Sequence, residues 1–236
     1  MRLYNNLEEY LEGQRYALEL VRTANLPDMG VVLKVLASPS GESAQANLAT
    51  YSVTHEVDKL EVDCLGVVGD RHYRSYAQST GRERDIVPKG TLIREQRHVF
   101  AVSLADCRRL SERLGVEVTP ELLGANLVIG REDGQEYSLS ALPPDTYLLF
   151  ADAHAEVLPK PPIAALVRYA QQEGCGVTGN ALAVHYDDKS LTSRFRDVSK
   201  TNRGIVCRVD FPTPENKAVL EAGQRVFFKY STGVAP

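Results

Sequence analysis

After Pro27 the chain breaks into short apolar runs separated by Gly, Pro, Ser and Asp: VVLKVLA, KLEVDCLGVV, HVFAVS, ANLVIG, TYLLFA, HAEVL, IVCRVDF and RVFFKY. Runs of this length bounded by turn residues predict strands, so the expected class is mainly β with some α. Before Pro27 the period changes. Leu7, Tyr10, Leu11, Ala17, Leu18 and Val21 fall on one helical stripe in NLEEYLEGQRYALELVRTA, with acids in the first turn where the helix dipole favours them. The pattern divides the chain into an N-terminal helical extension, 1–29, and a strand-rich domain, 30–236.

Three helices are expected to interrupt the strands. The first starts at Ser103, with Asp106 three residues on, runs through LADCRRLSERL and stops at Gly115. The others are IAALVRYAQQEG and SLTSRFRDV, and Thr119-Pro120 opens a shorter helical turn in TPELLG. RERDIVPKG, 82–90, has no apolar period and reads as an exposed loop.

Composition narrows the functional classes. The chain has 236 residues, 43% of them hydrophobic and 25% charged, which is ordinary for a globular protein and excludes disorder. The net charge of −4 gives no bulk attraction to nucleic acid or anionic lipid, so any anion site has to be local. No apolar run is long enough to span a bilayer, and MRLYNNLEEYLEGQ carries acids where a signal peptide is apolar. A cytoplasmic protein without membrane or nucleic-acid partners is expected.

Cys64, Cys107, Cys175 and Cys207 are scattered with no CxxC pair, and the five histidines show no HxH or HExxH spacing. A zinc site and a disulfide framework are therefore not expected. Cys64, Cys107 and Cys207 sit inside apolar patterns and read as structural. Cys175, in EGCGVTGNA, is flanked by glycines, and two readings stay open for it: an accessible, functional thiol or a structural residue. His185, in LAVHYDD, is a candidate to approach it.

The stretch LGVVGDRHYRS, 65–75, places Asp70, Arg71 and His72 directly after a Gly-Val-Val-Gly turn. Alone it could be a solvated turn. It is followed in order by RHVFAVSLADCRRL, LGANLVIG, a strand pair ending in EVLPKPP, then SRFRDV, NRGIVCRVDF and EAGQRVFF. That ordered series, over roughly 30–230, resembles the MOSC domain, the module named for the C-terminal part of molybdenum-cofactor sulfurases.

The resemblance implies a β-barrel like the small barrel of pyruvate kinase, with a few peripheral helices. It also implies binding of molybdenum cofactor (molybdopterin), with sulfur transfer or reduction of N-hydroxylated compounds as the associated chemistry. Carried over by motif, Arg71, His72, Arg97, Asn126, Lys160 and Arg203 are the cofactor-binding candidates. Gly69, Asp70 and Gly124 are structural turn residues, Asp70 orienting Arg71 or capping the turn. Arginine forks stay charged and match a phosphate, while histidine adds a switchable cation.

The family usually carries Pro-Cys after the strand that here reads HAEVLPKPP, yet Pro161 and Pro162 are followed by Ile163. Cys175, the catalytic candidate, would then have to replace that thiol in space. Gly223-Gln224 stands where the family commonly has Gly-Asp, and reads as a turn. No pyridoxal-phosphate domain is present, so sulfur or electrons would come from a donor or redox partner protein. The competing class is a non-catalytic binding module that kept the barrel and lost the thiol.

Overall fold

The computed structural model describes residues 29–38, 53–79, 87–158, 161–168, 175–200, 202–212 and 216–230. The predicted N-terminal helix, Lys160 and most of the 82–90 loop lie outside them.

Seven strands close into a barrel. In spatial order they are β13 (Arg225–Lys229), β9 (Tyr147–Ala151), β10 (Ala164–Arg168), β11 (Ile205–Phe211), β7 (Val99–Val102), β8 (Leu127–Gly130) and β1 (Met29–Ala37), and β13 pairs back onto β1. Every junction is antiparallel except β7 with β8, where Ala101 faces Leu127 in parallel register. A closed ring leaves no free sheet edge among these seven. β2 (His55–Val57) extends the sheet beside β1. β3 (Lys59–Asp63), β4 (Gly66–Val67) and β12 (Ala218–Glu221) form a small second sheet, and β5 (Tyr76–Gln78) pairs with β6 (Leu92–Arg94). This is the mainly β fold, a closed barrel with a few peripheral helices, expected from the sequence.

Alternation along the strands divides the apolar residues between two cores. Val32, Val99, Ala101, Leu127, Ile129, Leu148, Phe150, Leu166, Cys207 and Val226 fill the barrel. Leu36, Val102 and Val128 instead face outward and meet the helices. Those helices are α1 (Leu104–Leu114), α2 (Pro120–Leu123), α3 (Gly176–His185) and α4 (Leu191–Val198). α1 carries the predicted capping box: Ser103 accepts from the Asp106 N–H while Asp106 accepts from the Ser103 N–H.

The short strands β2, β5, β6 and β12 are absent from the sequence reading, and three further elements differ from it. IAALVR is not helical, because Ala164–Arg168 is the strand β10, buried on both faces. Such a strand loses the alternation that marks half-buried ones. HAEVL is not a strand but lies in the turn region after β9. GVTGNALAVH, not predicted at all, is α3, and its glycine content has a packing reason. A Cβ on Gly179 would stand 2.8 Å from the Thr192 carbonyl oxygen, so glycine there lets α3 and α4 approach closely.

Candidate functional site

The Asp-Arg-His turn leaves β4 at Val67. Asp70 closes it from both sides, its N–H donating to the Val67 carbonyl and its own carbonyl accepting from Tyr73. Its carboxylate does the rest: Oδ1 accepts from the His72 N–H at 2.9 Å, while Oδ2 accepts from Ser38 Oγ at 2.6 Å and Asn126 Nδ2 at 3.2 Å. Asp70 therefore caps the turn and ties it to the end of β1 and the start of β8.

Asn126 is a clamp. It is 4% exposed, and its Oδ1 accepts from the Phe100 N–H at 2.9 Å. Its backbone N–H donates to Phe100, and its carbonyl accepts from Leu36. With those groups engaged, Asn126 holds the loop together beside the Asp-Arg-His turn. Gly69 and Gly124 are turn residues as expected, at φ +82° and +74°.

Beside the turn sits a residue that the sequence reading missed. Glu95 is 2% exposed and its carboxylate collects the cations around it. Arg74 Nε donates to Oε2 at 2.9 Å, and Arg97 donates through Nε to Oε1 at 2.9 Å and through Nη2 to Oε2 at 3.3 Å. The N–H groups of Gln96 and Arg97 also donate to Oε1. Despite the opposing cost of burial, His72, Arg97 and Arg74 around it hold the Glu95 carboxyl far below the usual carboxylate range.

His72 Nδ1 lies 3.8 Å from Glu95 Oε2, beyond hydrogen-bonding reach. Desolvation, aided by Arg71 and Arg97, lowers its pKa against the pull of Glu95. Burial thus favours the neutral form of His72, the switchable member of the set. Burial also lowers His98, to about 4. Its Nδ1 accepts from the Val209 N–H at 3.2 Å, so Nε2 carries the proton and donates to the Arg74 carbonyl at 3.1 Å.

On the helical side, Cys175 is the residue preceding the first turn of α3, with φ −100° and ψ 109°. It is half-buried against the same outer core that Phe100 joins. Arg203, 7% exposed, places its guanidinium carbon 5.4 Å from the Phe100 ring centroid. The other thiols differ. Burial pushes Cys107 and Cys207 up to about 12, and Cys64 lies in the tight turn joining β3 to β4 rather than within a strand.

Arg203 is positioned by Gly204, which has φ +91° and packs against β7. A Cβ there would collide with the Ala101 carbonyl oxygen. Gly204→Ala is expected to destabilise the fold by about 1–3 kcal/mol, measured by urea denaturation, and to displace Arg203 from Phe100.

A curated relative completes the picture. The chain is 30% identical over 163 residues, covering 68% of this chain and 77% of the relative, to the Bacillus subtilis protein named "Putative metal-sulfur cluster biosynthesis proteins YuaD". The chain belongs to the YuaD family. The crystal structure of the Bacillus subtilis YuaD protein matches 85% of this chain and 95% of its own, with a TM-score of 0.64 and 24% identity. The crystal structure of YiiM from Geobacillus stearothermophilus aligns over 85% of this chain and 75% of its own, at a TM-score of 0.48 and 11% identity. No family model matches the sequence.

In this YuaD-family barrel the sequence-predicted residues follow a chain of contacts. Asp70 touches Asn126, Asn126 holds the Phe100 backbone, and Arg203 lies over the Phe100 ring. Arg97 joins the Asp-Arg-His turn through Glu95, which lies beside His72. The Pro-Cys question also changes. Pro161 and Pro162 precede β10, and the first cysteine after that strand is Cys175. Among the described residues, no group of three or more His, Cys, Asp or Glu is arranged to hold a metal ion, and no helix is long and apolar enough to cross a membrane.

Proposed function

We propose that this chain binds an anionic ligand bearing sulfur or metal, of the molybdenum-cofactor type, and that Cys175 is the thiol that meets it. The observation carrying this reading is the placement of Cys175. It follows the barrel strand β10 and opens α3 on the core that also receives Phe100, the ring beneath Arg203. The metal-sulfur wording in the Bacillus subtilis relative's name supports the same class of ligand.

The donor set fits such a group. A thiolate is a soft ligand suited to a soft metal or sulfur centre, and arginine forks suit a phosphate. With no cluster of three ligating side chains among the described residues, the metal would arrive already held by its organic carrier. Arg71, Arg97 and Arg203 would hold the anionic part, and Cys175 the sulfur-bearing or metal-bearing part. Molybdenum cofactor, when bound, supplies a redox-active metal centre.

The protein's own contribution is positioning. Glu95 fixes the Nε–Nη2 edge of the Arg97 guanidinium and leaves its remaining N–H groups for a ligand. Asp70 and Asn126 lock the turn carrying Arg71. A helix N-terminus favours the thiolate of a cysteine placed there. A sulfur-donor or redox partner protein would complete a catalytic cycle. The prolines that suggested a non-catalytic module lie before β10 and leave the thiol position after it open.

Wild-type protein, mixed with released molybdenum cofactor and desalted, is expected to retain it. Arg71→Ala should weaken retention by roughly 1.5–3 kcal/mol through loss of a charge-assisted contact. Equal retention by the two proteins would contradict the reading.

A further inference from the structure

Arg168 ends β10 and belongs to none of the contacts above. Ala164 and Leu166, two and four residues earlier on the same strand face, are in the barrel core, and the residue opposite Arg168 on β11 is the core residue Cys207. Strand alternation therefore turns Arg168 to the barrel interior. It is only 7% exposed, and its Nε is buried without a hydrogen-bond partner. Its backbone is satisfied, by Thr146 and by the Asp145 N–H.

Among the described residues the guanidinium has no ion pair. Asp106 and Asp145 both act on it electrostatically, but neither comes within pairing distance. Asp106 cannot turn to it, because its carboxylate already accepts from the Ser103 N–H and Oγ, the Leu139 N–H and Ser138 Oγ. An interior cation without a counter-charge is costly, and chains retain one where a ligand supplies the charge. The other deeply buried loop arginine, Arg203, is by contrast stacked on Phe100.

We propose that Arg168 anchors a second anion-binding site, at the end of the barrel interior where β10 finishes, which takes the oxyanion of a small ligand. The planar guanidinium fork matches two oxygens of a phosphate or sulfate group. This site goes beyond the one proposed around Cys175, and Arg71→Ala leaves it intact.

The test is thermal unfolding of the full chain in Tris-chloride at fixed ionic strength, with inorganic phosphate, sulfate or glycerol 3-phosphate added. Wild-type Tm should rise and saturate. A response to inorganic phosphate or sulfate marks a site for the free anion; a response to glycerol 3-phosphate alone marks one for the anionic group of a larger molecule. Arg168→Met should unfold at a higher temperature than wild type without added anion, since an unpaired buried charge is gone, and should lose the response. Arg168→Lys, which keeps the charge but not the fork, should respond at roughly tenfold higher concentration, and it decides the matter if Arg168→Met does not fold. A wild type insensitive to all three probes would overturn the proposal, as would variants that respond like wild type.

Discussion

Glu95→Gln is expected to cost about 3 kcal/mol of folding stability at neutral pH, read from denaturant midpoints at unchanged m-value. The substitution leaves Arg74 and Arg97 around a neutral group that cannot balance them. Both arginines are partly exposed and can turn toward water, so the loss falls at the lower end of the range for broken buried pairs. Arg97→Ala in the Glu95→Gln background should cost less than in wild type, since the two residues share one interaction. Additive losses would show that the carboxylate does not organise the cations.

Lowering the pH from 6.5 to 4 is expected to remove about 3 kcal/mol of stability through His98. Its pKa is about 4 in the folded chain against an ordinary 6.5, so the unfolded chain takes up the proton first. The contribution is therefore complete above pH 6.5 and lost as the pH falls through 4. His98→Gln should reduce that slope in denaturation measured across the interval, and His72, shifted in the same direction, should leave a residual slope of the same sign. Glu95 is held low in the folded chain and stays ionised there, so its own loss starts as the unfolded chain protonates in the usual carboxylate range and continues below it. An unchanged slope in the His98 variant would contradict the neutral, doubly bonded imidazole.

The sequence was readable where local chemistry decides structure. Ser103 and Asp106 announced α1 because a capping box is made of neighbours, and Thr119-Pro120 announced α2 for the same reason. β10 was misread because its apolar positions do not alternate, and α3 because Gly179 weakens helix propensity while serving the contact with Thr192. The expected Pro-Cys register was placed by motif after HAEVLPKPP, where Pro161 and Pro162 stand, and HAEVL is not a strand.

Asp70 was correctly read as a turn cap, since an aspartate two residues before an N–H commonly accepts from it. The clamping contacts of Asn126 were not legible because its partners, Phe100 and Asp70, are 26 and 56 residues away. Glu95 escaped notice inside the polar stretch REQRH, which resembles a solvated surface. The available signal was an acid set among three basic residues at a strand junction.

A limiting pulse of iodoacetamide at neutral pH, followed by mass spectrometry, tests whether Cys175 is the working thiol. Cys175, at the start of α3, should alkylate faster than Cys64, Cys107 or Cys207, and the last two, pushed up to about 12 by burial, should stay almost unlabelled. Labelling of Cys175 no faster than of the buried pair would contradict the account and leave a barrel that binds anions without a nucleophile.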